Sequence, residues 1–132
     1  MTERVLLDAW AWWEILHATA KGRALSARYV ESPGVQVLTV DLALAEVSTK
    51  LARRGRPEKI SLCLGNMEAA SEVLPISREV AEAAGPMLVE LRRTDPDASM
   101  ADAVMLSAAR VTEATLVSGD PAFRGQPNVR WD

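Results

Sequence analysis

The sequence predicts an α/β fold, a three-layer α/β/α sandwich around a mostly parallel central sheet. Three observations lead there. Short runs such as Val35–Val40, rich in β-branched residues, read as strands. The segments between them are long and helically periodic, as the crossovers between parallel strands require. The 132 residues, 48% hydrophobic and 25% charged, suit one globular domain, read as 1–132, and disfavour a disordered, collagen-like or disulfide-stapled chain.

The elements follow in order. Arg4–Leu7 is a compact apolar strand ending at Asp8. A helical pattern runs from Trp10 to about Ala20 and continues from Lys21 to Glu31, until Ser32-Pro33-Gly34 stops it. The strand Val35–Val40 comes next, and Asp41 is placed to cap the helix that follows it. That helix ends at the basic Arg53-Arg54 and Gly55, and Pro57 opens the next one, which reaches about Val73. Leu74–Ser77 reads as a short edge strand because of its proline. Arg78–Arg93 is helical by composition, with Gly85-Pro86 expected to kink or split it. After the turn Thr94–Ala98, Ser99–Thr112 is helical, with Met100, Val104 and Ala108 on one stripe and Asp97 as the expected N-cap. Thr115–Ser118 and Asn128–Trp131 are the last strands.

Several chemistries are excluded early. One cysteine, Cys63, makes no internal disulfide, and one histidine, His17, leaves no pair for a Cys/His zinc site. His17 reads as a partly buried helix residue rather than a catalytic base. No apolar run is long enough to span a membrane and the first residues lack a signal-peptide layout, so a cytoplasmic protein is expected. A net charge of −3 and a pI near 5.2 argue weakly against a nucleic-acid binder.

The carboxylates are more informative. In an open parallel sheet, ligands bind beyond the carboxyl ends of the strands. Asp8 follows the first strand and Asp120 lies two residues past Ser118, so both belong to that edge. Asp102 has no basic helical neighbour, and Glu46 is bracketed by small and apolar residues. Singly, each has an ordinary reading: Asp8 and Asp120 as caps, and Glu46 as the i,i+4 partner of Lys50. Together, four repelling carboxylates call for a hard divalent cation, and oxygen-only ligation points to Mg2+ or Mn2+. Such ions suit phosphodiester hydrolysis.

Four stretches in register carry a resemblance: Val5-Leu-Leu-Asp8 with Ala-Trp-Ala-Trp after it; Leu44-Ala-Glu46-Val; Met100-Ala-Asp102-Ala-Val; and Thr115-Leu-Val-Ser-Gly-Asp120-Pro-Ala-Phe123. Over essentially its whole length the chain resembles the PIN-domain family, most closely the short VapC-type toxins of toxin-antitoxin pairs. The resemblance implies a Mg2+- or Mn2+-dependent endoribonuclease, a homodimer, and inhibition by a small VapB-like antitoxin covering the pocket. Asp8, Glu46 and Asp102 match the family's three principal acids, Asp120 the more variable fourth, and Ser118 a supporting hydroxyl. The roles expected are ion contact for Asp8 and Asp102, water orientation or activation for Glu46, and completion of the shell or of a weaker second site for Asp120.

Arg53, Arg54 and Arg56 follow the Glu46 helix, and Arg92 and Arg93 precede the Asp102 segment; all five are candidate RNA phosphate contacts or solvated helix ends. Trp10 and Trp13 share a helix face while Trp12 points elsewhere, as core or as an interface. Ile60, Cys63, Leu64 and Met67 form an apolar stripe that fits the core or a partner helix. The alternative function is a non-catalytic interaction module whose acidic pocket binds a basic segment. A receiver-type or phosphatase-like domain is disfavoured, because Ala-Trp follows Asp8 and no lysine lies beyond Lys59.

Overall fold

Each expected strand run finds a place in one sheet, whose order is β3-β2-β1-β4-β5 with every neighbour parallel. In this computed structural model, which describes residues 2–131, the strands are β1 Glu3–Leu7, β2 Val35–Val40, β3 Glu72–Leu74, β4 Thr115–Ser118 and β5 Val129–Trp131. Met1 and Asp132, the two ends of the expected 1–132 domain, lie outside the described residues. The chain steps from β1 to β2 to β3 in one direction and then returns to the far side of β1 for β4. Right-handed crossovers therefore put α1 (Ala9–Leu16), α2 (Ala20–Leu25), α3 (Asp41–Arg53) and α4 (Ile60–Ala70) on one face. By the same rule α5 (Arg78–Leu91) and α6 (Met100–Val111) cover the other. No helix among the described residues is long and apolar enough to cross a membrane.

That reversal creates the switch point between the carboxyl ends of β1 and β4. The register pairs Leu7 with Val117, so Asp8 and Ser118 leave the sheet side by side. The strands beneath them are apolar on both faces, as a covered parallel sheet demands: Val5, Leu6, Leu7, Leu116 and Val117 are buried. One polar relay is buried with them. Trp12 Nε1–H donates to Thr39 Oγ1 at 3.0 Å, Thr39 lies 2.7 Å from Ser71 Oγ, and the Ser71 hydroxyl donates to the Met67 carbonyl at 2.7 Å. This chain of bonds ties α1 to β2 and to the end of α4, and it leaves the Trp12 N–H satisfied in the core.

Local details depart from the sequence reading for identifiable reasons. Asp41 opens α3 instead of capping it; Val40 holds the cap position and makes no side-chain bond, so Asp41 acts only as a negative charge in the first turn. Pro57 starts a 3-10 turn, Pro57–Lys59, and α4 begins after it. The edge strand lies two residues earlier than expected, with Pro75 just beyond it. Gly85-Pro86 does not split α5: both residues are exposed, where the carbonyl that Pro86 leaves unbonded can face water. The second half of the first helical pattern is α2 followed by a π-turn, Ser26–Val30, closed by the Glu31 N–H on the Ser26 carbonyl at 2.8 Å; Tyr29 within it is buried. α6 carries no single stripe. It is buried continuously from Ala103 to Ala109, while Met100 is 52% exposed.

α2 can dock on α1 because Gly22 rests against the Glu14 backbone carbonyl, where a Cβ would overlap the oxygen. Neither group can rotate away. Gly22→Ala should therefore destabilise the chain by about 3 kcal/mol in urea unfolding. Gly65→Ala, on the exposed side of α4 with open space around it, should be neutral or stabilising by up to about 1 kcal/mol.

Candidate functional site

Asp8 follows the last residue of β1 and is the N-cap of α1, its Oδ1 accepting the Ala11 N–H at 2.9 Å. Its other oxygen, Oδ2, accepts the Ser118 hydroxyl from the end of β4 at 2.5 Å. Ser118 in turn accepts the Asp120 N–H at 3.0 Å, and Asp120 Oδ1 caps the 3-10 turn Pro121–Phe123 through the Ala122 N–H at 2.9 Å. Gly119 between them leaves room for Trp10, since a Cβ there would overlap the indole. The β1 and β4 ends thus form one hydrogen-bonded unit. Asp102 arrives from the opposite face. Ser99, not Asp97, caps α6, and the two form a capping box: Asp102 N–H donates to Ser99 Oγ at 3.1 Å and Ser99 N–H to Asp102 Oδ2 at 2.8 Å. Asp97 instead donates its N–H to Asp95 Oδ1.

The electrostatics bring the four acids together. Burial pushes Asp8 up to about 7, against the Ser118 and Ala11 bonds, with the charges of Asp120 and Glu46 adding to the rise. Glu46, half-buried on α3, is likewise pushed up to about 7 by burial and then by Asp102 and Asp120. Burial raises Asp102 as well, opposed by its Ser99 bonds and assisted by Asp120. Asp120 is the common neighbour that raises the other three. No cation figures among the causes of these shifts. The expected Glu46–Lys50 ion pair is not found among the described residues; Lys50 turns instead over the Trp13 ring, 4.3 Å from its centroid.

A cleft of about 610 Å³ opens above this edge. Trp10, Trp13 and Leu42 wall it, Glu46 and Asp120 face it, and Lys50 and Arg53 line it farther along α3. Asp8 is buried, 5% exposed, and Asp102 is half-buried. Four oxygen-donor side chains gathered at one edge, three of them with the charged form disfavoured by burial and like charge, suit a hard divalent cation. Among the described residues, no three His, Cys, Asp or Glu side chains are grouped closely enough to hold a metal ion.

The remaining candidates separate. Arg53 lines the acidic cleft. Arg54 lies over Trp13 at 5.2 Å, and Arg56 stands 3.9 Å from Glu58. Arg92 donates to the Ala98 carbonyl at 3.0 Å, just before the Asp102 helix, and Arg93 pairs with Glu90 at 3.4 Å. Trp12 is core, whereas Trp10 and Trp13 border the cleft, as their shared face anticipates. In the Ile60–Met67 stripe only Met67 is buried; Ile60, Cys63 and Leu64 are half-buried. His17 is an exposed C-cap stacked on Trp13 with centroids 4.0 Å apart. The sequence reading missed Lys50 as a wall of the cleft. Its i,i+4 spacing from Glu46 was visible, but the competing Trp13 ring comes from another helix.

An all-parallel sheet covered on both faces, with carboxylates gathered at its switch point, defines an α/β class with an acidic site. Residues 5–127 match the PIN domain model, and the chain belongs to the PIN-domain family. No curated protein matches the sequence. Solved structures share the fold. A toxin-antitoxin complex from Klebsiella pneumoniae aligns with a TM-score of 0.68 and 20% identity, over 96% of this chain and 95% of that one. VapBC2 from Rickettsia felis, bound to a DNA fragment from its promoter, aligns at 0.76 and 17%, over 98% and 97%. VapC20 from Mycobacterium tuberculosis, described as a toxin cleaving the sarcin-ricin loop, aligns at 0.68 and 20%, over 84% and 85%.

The raised Asp8 makes stability depend on pH. Between about pH 4 and 7 the folded chain holds a proton that the unfolded chain has lost, so stability falls as pH rises through that window. Asn keeps the cap acceptor without the charge. Asp8→Asn should therefore be more stable than the native chain at pH 8 in metal-free buffer, by a few kcal/mol, with the difference gone below about pH 4. Thermal melts across pH measure this.

Proposed function

We propose that the chain is a metal-dependent endoribonuclease of the VapC toxin type, hydrolysing RNA phosphodiester bonds at the acidic edge. One observation carries the reading: Asp8 is 5% exposed beside Asp120 and Glu46, and burial pushes its carboxyl up to about 7 even though the Ser118 hydroxyl and the Ala11 N–H both favour the charged form. Asn or Ser would cap α1 as well at no such cost. Glu46 caps nothing and has no basic partner among the causes of its shift, so its carboxylate is unexplained by folding. The alternative, a non-catalytic module whose acidic pocket binds a basic segment, would use the same carboxylates, and the cleavage assay separates the two.

Mg2+ or Mn2+ is the cofactor the oxygen donors suit, with Asp8, Asp102 and Asp120 as its holders. When bound, it would supply neutralisation of the scissile phosphate and a more acidic water. Glu46, half-buried at the cleft and with no basic group among the charges acting on it, orients the attacking water and takes its proton. Ser118 and the Ala11 N–H keep Asp8 in one orientation. The toxin description of VapC20 supports RNA as substrate, and the Klebsiella complex supports a VapB-like antitoxin partner. An antitoxin arginine would pair with these same carboxylates. A homodimer is the assembly we expect.

Purified chain should cut RNA in Mg2+ or Mn2+ and stop on chelation. Glu46→Gln should lower the rate by about 10²- to 10⁴-fold, and Asp8→Asn and Asp102→Asn should leave none measurable. Ser118→Ala should weaken Mn2+ affinity by about 10- to 100-fold, read as the Mn2+ concentration needed to raise the melting temperature. Robust cleavage by both Asp8→Asn and Asp102→Asn would remove these residues from the site.

A further inference from the structure

Trp13 has a second side. A further cleft, of about 470 Å³, is lined by Trp13, His17, Leu51, Arg54, Arg56 and Lys59. It shares Trp13 with the acidic cleft. Five of the chain's 15 basic residues, Lys50, Arg53, Arg54, Arg56 and Lys59, fall between positions 50 and 59, with Glu58 the single acid among them. All five are exposed, in a chain whose net charge is −3. On α3 the rise from Glu46 to Arg53 is about 10 Å, so the basic group continues directly from the acidic one along the same helix.

Two of the five cations rest on the Trp13 indole. Lys50 lies 4.3 Å and Arg54 5.2 Å from the Trp13 ring centroid, and His17 stacks on the same indole while its Nδ1 lies 2.9 Å from the Trp13 carbonyl. A cation resting on an aromatic ring keeps its charge and loses little further freedom when an anion arrives. The facing acids are few: Glu58 stands 3.9 Å from Arg56, and Glu14 acts on Lys50 at longer range.

We propose that the Trp13–Lys59 cleft is a phosphate subsite for single-stranded RNA, gripping the backbone of the strand whose scissile bond lies over the acids. Positive charge set apart from the reacting centre and joined to it by a continuous wall fits a polyanion with regularly spaced charges. The inference rests on the nuclease reading for the identity of the polyanion. It assigns Arg54, Arg56 and Lys59 to substrate binding and Trp13 to positioning.

The test is binding, kept apart from cleavage. Fluorescence anisotropy of labelled single-stranded RNA is followed across a salt series in chelator, for the native chain and for the triple variant Arg54→Gln/Arg56→Gln/Lys59→Gln. Arg28→Gln is the control, at the opposite edge of the sheet, where Arg28 pairs with Glu3 at the start of β1. The triple variant should bind on the order of tenfold more weakly and lower the slope of log affinity against log salt by about 2, while the control changes neither by more than one contact's worth. Unchanged affinity and slope in a variant that melts like the native chain would overturn the subsite. So would poly-glutamate bound through the same three residues as tightly as RNA, which would assign the surface to an acidic protein segment. Cleavage is scored separately: a native chain that binds RNA through this cleft yet never cuts it retains the subsite and loses the nuclease reading. A chain that cuts RNA with binding indifferent to the three residues does the reverse.

Discussion

The structure is organised around a charge problem at one point. β1 and β4 are neighbours whose onward connections leave in opposite directions, so the crevice beyond their carboxyl ends collects side chains from both faces of the sheet. Three of those side chains are carboxylates with raised pKa, and Asp120 repels each of them. Hydrogen bonds from Ala11, Ser118 and Ser99 lessen the penalty without removing it. Burial and like charge both disfavour this cluster, which marks it as a functional site rather than a stabilising one.

Much of the surrounding structure serves to hold that crevice rigid. The pairing of Leu7 with Val117 sets Asp8 beside Ser118, and Ser118 joins Asp8 to the Asp120 backbone, so two strand ends share one set of bonds. Gly119 lets the Trp10 indole close over the turn. The Trp12–Thr39–Ser71–Met67 relay fixes α1, the helix that Asp8 caps, against β2 and α4. α6, buried from Ala103 to Ala109, cannot shift without disturbing the core, and its capping box fixes Asp102 at the first turn. The same residues that stabilise the fold thereby set where the carboxylates stand.

α3 extends the site beyond the metal-type cluster. One helix presents Glu46 near the carboxyl edge and Lys50, Arg53 and Arg54 farther along, so the cleft runs from negative to positive over a few turns. Lys50 lies over the Trp13 ring from α1 instead of closing a pair with Glu46. Left apart, the acids and the bases occupy different lengths of the same helix. The net charge of −3 conceals this division, because the opposing groups sit on different stretches of one surface.

The sequence by itself determined the order of strands and helices, the parallel sheet, and the candidacy of Asp8, Glu46, Asp102 and Asp120, because periodicity and strand ends are local properties and a carboxylate after a strand is visible without coordinates. It also carried the family, through four short stretches spread across the chain. What it left undecided were choices between partners distant in sequence. Lys50 had Glu46 four residues away and Trp13 on another helix, and only packing of α1 against α3 settled for the ring. The cap of α6 is a different case: Ser99 takes the place expected for Asp97 because Asp102, three residues on, completes the box, a local signal already present in the sequence. The closeness of Asp120 to the other three acids required the sheet to bring β4 beside β1 and the opposite layer to bring α6 above them. Long-range proximity is a property of the folded chain, and the electrostatic tension at this site exists only there.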